Sequence, residues 1–375
     1  GILLLLGGCQ SIGYYIHVSA GQLKLLSDRE PVDEVLASLE GRTDDEAVAL
    51  IGRLELSRQV LDHAENHLGL EVGRRYRSFV ELNREAVVWN LFAAPELSLT
   101  PHTWCYPFVG CAPYQGYFDL DRTEEARLTL AQHGFETHVG PVLAYSTLGW
   151  FDDPILSTFI DLSEGDFVEL LLHELAHSRV WVKGDAGFNE SFASFVGTQG
   201  AREWFAAEGR LPDYDAYLLE EAAWARARSV LEATRAALEV VYERNVTEAE
   251  KREDKGRVLD QAAACLQALA ISTGLDGYRR LIPLLNNAYL ASLATYRDQI
   301  PAFERLFAQA GGDWAGFFLR VEELSRLDVA ARTARVEALM RSGEQHVAAE
   351  GDNSGTDQIQ CETLTGHGLN AEPAR

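Results

Sequence analysis

The segment Leu170–Gly197, reading LLLHELAHSRVWVKGDAGFNESFASFVG, constrains this chain more than any other. Four residues make slightly more than one helical turn, so His173 and His177 lie about 40° apart on one helix face. Ser163-Glu164-Gly165-Asp166 reads as a capping box before them. From Phe167 to Val182 the segment is apolar on most faces, and a helix apolar nearly all round is a buried one. Two histidines and Glu174 buried together need a compensating partner, and a metal ion supplies it.

Downstream, Phe188, Phe192 and Phe195 form an i, i+4, i+7 stripe for the core. Glu190, Ala193, Ser194 and Gly197 fall on the other face. Apart from Glu190 these are small, so the second helix can approach the first closely enough for Glu190 to reach a shared metal. Gly184 and Gly187 permit the reversal between the helices. Two imidazoles and a carboxylate suit Zn2+, with His173, His177 and Glu190 as ligands. Glu174 stands as the general base for a zinc-activated water. Asp185 is a rival third ligand. The HExxHxxGxxH pattern is excluded, because Val180 and Lys183 occupy its glycine and third-histidine positions.

His173-Glu174-Leu175-Ala176-His177 followed by Phe188-Asn189-Glu190-Ser191-Phe192-Ala193 resembles the gluzincin peptidases, whose third ligand lies on an NExxA-like helix. Twelve residues separate His177 from Glu190, a shorter gap than in the best-known gluzincins. More specifically, the chain resembles the putative aminopeptidase family of bacterial lipoproteins. The likeness rests on Trp104–Pro107 through Gly116–Phe118, Ala144–Pro154, the histidine segment, and Asn286–Ala288 through Thr295-Tyr296. It implies a zincin-like core and a peptide substrate. The GxMEN segment with which large gluzincin aminopeptidases bind a free amine has no counterpart, since the single methionine is Met340. Glu136 is the one acid we place near the cleft for that task. A processing endopeptidase of the envelope and a zinc-containing binding or scaffolding lipoprotein are the other readings.

The N-terminal run Ile2-Leu3-Leu4-Leu5-Leu6-Gly7-Gly8-Cys9 resembles a lipobox. That implies Cys9 as a lipid-bearing first residue, residues 1–8 as a signal remnant, and anchoring in the bacterial cell envelope. Gln10 after the cysteine implies the periplasmic face of the outer membrane; a buried strand with an ordinary cysteine is the alternative. Cys105 and Cys111, flanking a Pro- and Gly-containing loop, can form a disulfide in an oxidising compartment. Cys265 reads as a small buried hydrophobe and Cys361 as unpaired. With 57 acidic and 33 basic residues the net charge is −24, which disfavours nucleic acid as a partner.

The expected fold class is α+β and predominantly helical. A small sheet precedes the HExxH helix, and the C-terminal half is helical. Residues 9–85 read as an N-terminal helical region, with an apolar stripe over Asp44–Leu68 and a helix over Arg75–Glu85. Residues 86–200 form the core, with strands at Val87–Ala93 and Val139–Thr147 and a helix at Thr123–His133. Residues 201–342 carry helices over Asp213–Asn245, Asp254–Ser272, Gly277–Tyr296, Ile300–Ala310, Asp313–Ser325 and Asp328–Ser342. Residues 343–375 read as a disordered tail. Pro141 favours an edge position for its strand, so Leu143–Thr147 is the candidate for pairing with an extended substrate. Tyr145 and Tyr296 are the candidate oxyanion donors, with packing roles as the alternative.

Overall fold

The computed structural model describes residues 6–106, 110–144, 147, 151–293 and 299–347, with the side chains of 6–12, 220 and 342–347 left aside. Helix α1 (Leu6–Ser27) leads through β1 (Glu30–Pro31) and α2 (Val32–Leu39) to α3 (Asp45–Asn66). Asp44 starts α3 by accepting from the Ala47 N–H at 3.1 Å. The helix expected over Arg75–Glu85 is absent. Tyr76 and Asn83 have positive φ of 58° and 47°, and Phe79 and Val80 pair with Ile155 and Leu156. Non-local pairing overrides the local helical pattern there. The resulting sheet has the order β1, β2 (Ser78–Val80), β8 (Ile155–Leu156).

A second sheet is built on β3 (Val88–Pro95), which runs antiparallel to two neighbours. Next in the chain come β4 (Trp104–Tyr106) and β5 (Gly110–Ala112), a separate antiparallel pair joined by the Cys105–Cys111 disulfide. One partner of β3 is β6 (Gln115–Tyr117). After α4 (Leu120–Gln132) comes the other, β7 (Phe135–Val142). β7 and β6 are the two edges of this sheet among the described residues. β7 ends at Val142, so the described residues Leu143, Ala144 and Thr147 do not extend the strand as expected, and Tyr145 and Ser146 lie outside the described residues. Asp153 holds the backbone beyond it, accepting from the Thr147 N–H at 2.8 Å.

After α5 (Ser157–Ile160), α6 (Glu164–His177) begins at Ser163, whose Oγ accepts from the Asp166 N–H at 3.2 Å. It ends at His177, short of the expected Val182. The amide of Asn189 takes both the N–H and the C=O of Val182, each at 2.8 Å, and bends the chain into α7 (Ala186–Ala207). Gly187 therefore sits in the first turn of α7, while Gly184, with φ of 77°, makes the reversal.

Phe188, Phe192 and Phe195 pack against Phe303, Phe307, Phe317 and Phe318. Those partners lie on α11 (Ile300–Gln309) and α12 (Trp314–Ser325), with α13 (Val329–Val347) completing this end. Residues 348–375, the bulk of the expected tail, lie outside the described residues. A separate apolar cluster is buried between α8 (Leu211–Glu243) and α9 (Glu248–Thr273). Cys265 belongs to that cluster, but it is disulfide-bonded and not simply an apolar filler. The helix expected over Gly277–Tyr296 is split. A 3-10 segment covers Asp276–Leu284, with Pro283 inside it, before the short α10 (Asn287–Leu293).

Candidate metal centre

Helices α6 and α7 meet through glycine. A Cβ on Gly197 would lie 2.7 Å from the Glu169 carbonyl oxygen and 3.3 Å from the His173 Cβ. This close approach brings Glu190 onto the histidine pair. His173 Nε2 and His177 Nε2 are 3.2 Å apart. Glu190 Oε2 lies 3.3 Å from the first and 3.7 Å from the second. Donors around a tetrahedral zinc, with bonds of roughly 2.0–2.1 Å, are separated by about 3.3–3.4 Å. The three atoms therefore stand close to the corners that such an ion requires, and the two-nitrogen, one-carboxylate set suits Zn2+.

The electrostatics point the same way. Burial, first, lowers the His177 pKa to about 4, so its ring is neutral and its lone pair free for a cation. The His177 Nδ1 has no hydrogen-bond partner among the described residues, and the ring rests against Trp181 at 5.6 Å. Burial works to raise the Glu190 pKa, but the His173 hydrogen bond and both imidazoles outweigh it, and the carboxyl is held below its usual range. Glu174 behaves oppositely. Burial, then the neighbouring Glu190 and Asp153 carboxylates, push it up to about 7 against the pull of His173. Its Oε2 is buried without a hydrogen-bond partner among the described residues. A carboxyl near neutrality with an uncommitted oxygen can accept and return a proton.

Asp185 does not join the trio. It caps α7 by accepting from the Phe188 N–H at 3.2 Å, and its Oδ2 receives the buried Arg332 at 2.8 Å. Glu136 is likewise committed elsewhere. It pairs with Lys255 and accepts from the Asn287 N–H at 2.7 Å. It sits six residues before the cavity end of β7, roughly 20 Å along an extended strand. Asn286 and Asn287 are structural: Asn286 caps α10 through the Tyr289 N–H, and Asn287 binds the Pro95 and Glu96 carbonyls. Tyr145 and Tyr296, the expected oxyanion donors, lie outside the described residues. Cys9 falls within α1.

His173, Glu174, His177 and Glu190 open into one cavity of about 870 Å3. Sequence reasoning missed Tyr114, which lines it. Burial, then the Glu190 and Glu174 carboxylates, raise its pKa, so the phenol remains a proton donor. Its ring leans on Phe92 at 5.7 Å. No spacing links Tyr114 to the histidines, because the sheet, not a helix period, brings it there.

The molecule is thus a largely helical α+β protein with a His-His-Glu cluster on two touching helices. Residues 13–336 match the family described as putative aminopeptidase, and the chain belongs to that family. No curated protein and no solved structure matches it.

Proposed function

We propose that this protein is a zinc-dependent peptidase of gluzincin type, in which His173, His177 and Glu190 hold the metal. The observation that carries the reading is the 3.2, 3.3 and 3.7 Å spacing of the three donor atoms beside the uncommitted Glu174 oxygen. A bound Zn2+ supplies Lewis-acid activation of water and of the scissile carbonyl. Glu174 takes the proton of the attacking water on its carboxylate and delivers it to the leaving amine nitrogen. Tyr114 donates its phenolic proton in a hydrogen bond to the carbonyl oxygen as charge develops there. The surrounding apolar wall keeps bulk water from the exchange.

Within that reading the family name favours an aminopeptidase. One observation favours an endopeptidase instead. The carboxylates lining the described cavity are Glu174, Glu190 and Asp185, and the last is engaged by Arg332. None is left to hold a free α-ammonium group. We further propose Cys9 as a lipid anchor in the bacterial envelope, supported by the apolar run that precedes it. No helix among the described residues is long and apolar enough to cross a membrane. An intact mass of membrane-extracted protein lacking a diacylglyceryl adduct on Cys9 refutes the anchor.

The experiment that tests the peptidase is Glu174→Gln. It is expected to keep one zinc per chain by metal analysis and to abolish hydrolysis of a peptide library. Full activity in that variant overturns the mechanism. Peptides with free and with blocked N-termini separate the exopeptidase from the endopeptidase, and zinc without any cleavage favours a binding or scaffolding role.

A further inference from the structure

The cavity has a second wall whose chemistry the metal cluster does not explain. Helix α1 contributes Tyr14, Val18 and Gln22 in one row and Tyr15, Ser19 and Leu23 in the next. Each row repeats every four residues, so together they form one helix face turned to the cavity. The helix is fixed in place by side-chain contacts. The Tyr14 hydroxyl donates to the Gly116 carbonyl at 3.0 Å, and His17 Nε2 accepts from the Phe118 N–H at 3.1 Å. Gly21 lies against Phe118 so closely that a Cβ there would sit 2.4 Å from the ring.

From this geometry we infer that the cavity is a subsite for peptide segments with bulky apolar side chains beside the scissile bond, and that α1 sets this selectivity. The inference rests on the peptidase reading. Away from the metal cluster the wall is aromatic and aliphatic: Val18, Val88, Tyr106, Phe118 and Val142. Tyr14 turns its hydroxyl into the wall and onto the Tyr106 hydroxyl, 3.5 Å away, leaving ring surface for contact. No lysine or arginine lines the described cavity, and the carboxylates present are metal-site or capped groups, so neither charge sign finds a partner. The 870 Å3 volume lies near the upper end of the range for ligand pockets and holds several side chains. Leu23 and Phe151 line the cavity while 65% and 45% exposed, apolar surface that a bound segment would cover.

The test uses Glu174→Gln protein loaded with zinc. Fluorescent peptides of equal length, with Leu and Phe or with Ser, Asp or Lys around the central bond, are titrated by anisotropy. Apolar peptides are expected to bind at least about tenfold tighter. In active protein, Val18→Asp is expected to lower kcat/KM for apolar peptides at least about tenfold more than for the Ser peptide. Val18→Trp, which narrows the cavity without adding charge, is expected to shift preference towards smaller apolar residues, so a misfolded Val18→Asp does not end the test. Equal affinity for all peptides, or a folded Val18→Asp with unaltered preference, overturns the inference. If apolar peptides bind selectively but the active protein cleaves none, the peptidase reading fails and the subsite stands.

Discussion

Gly197→Ala tests whether the contact of α6 with α7 builds the proposed metal centre. The added Cβ would lie 2.7 Å from the Glu169 carbonyl oxygen, where ordinary contact begins near 3.4 Å. That oxygen belongs to a helix backbone and cannot swing aside, so the helices must separate by about 0.7 Å locally. Overpacking of this kind costs about 1–3 kcal/mol. Glu190 lies two turns earlier on the same helix, so the displacement lengthens its 3.3 Å approach to His173. Metal sites tolerate only ~0.2 Å in bond length, and zinc affinity is expected to fall about 10–100-fold. Competition with a chromophoric chelator measures the affinity, and urea denaturation of the metal-free protein measures the stability.

Two controls grade the effect. A Cβ on Gly200 would meet the ends of the Leu172 and Leu68 side chains at 2.9 Å, which can rotate, so Gly200→Ala should cost less than Gly197→Ala. A Cβ added to Gly52 in α3 would find nothing within 4 Å, and Gly52→Ala should stabilise by about 0.5–1 kcal/mol. Wild-type zinc affinity and stability in Gly197→Ala would refute the reasoning.

Three further outcomes are expected. Asp185→Ala removes the α7 cap and strands the buried Arg332, costing about 3 kcal/mol or more, yet retains zinc, whereas Glu190→Ala loses it; metal analysis of both variants decides. His138 sits among Phe92 and Tyr289 with its pKa lowered to about 4 by burial, against about 6.5 unfolded. A depressed folded-state value means stability present above about pH 6.5 and lost as pH falls towards 4, so at pH 5 the protein should have lost about 2 kcal/mol that His138→Phe does not lose, as urea denaturation of both proteins across that range would show. Free zinc at a hundred times its Kd should stabilise the protein by about 2.7 kcal/mol, reversibly on chelation; a melting temperature indifferent to zinc in the wild type would count against the ligand set.

What the sequence reveals and what it hides follow from the range of the interactions involved. The α6–α7 unit is legible because its signals are local. Ser163 caps a helix three residues on, four residues place His173 and His177 on one face, and the phenylalanine stripe and small residues of α7 assign its two sides. Asn189 shows the boundary of that legibility. As a motif it accompanies Glu190; in the fold its amide clamps Val182 and ends α6 five residues before the apolar pattern does. Residues 75–85 mislead for the opposite reason, since their helical pattern yields to pairing with Ile155 and Leu156, some seventy residues away. Tyr114 and the α1 wall have no local signal at all. The sheet carries Tyr114 to the carboxylates, and a glycine against Phe118 seats α1. The proposed ligands of this site are therefore written in one helix pair, while the groups that would select and orient a substrate come from segments that only tertiary packing brings to it. On this reading, changes in α1 would retune the cavity without touching the proposed metal ligands.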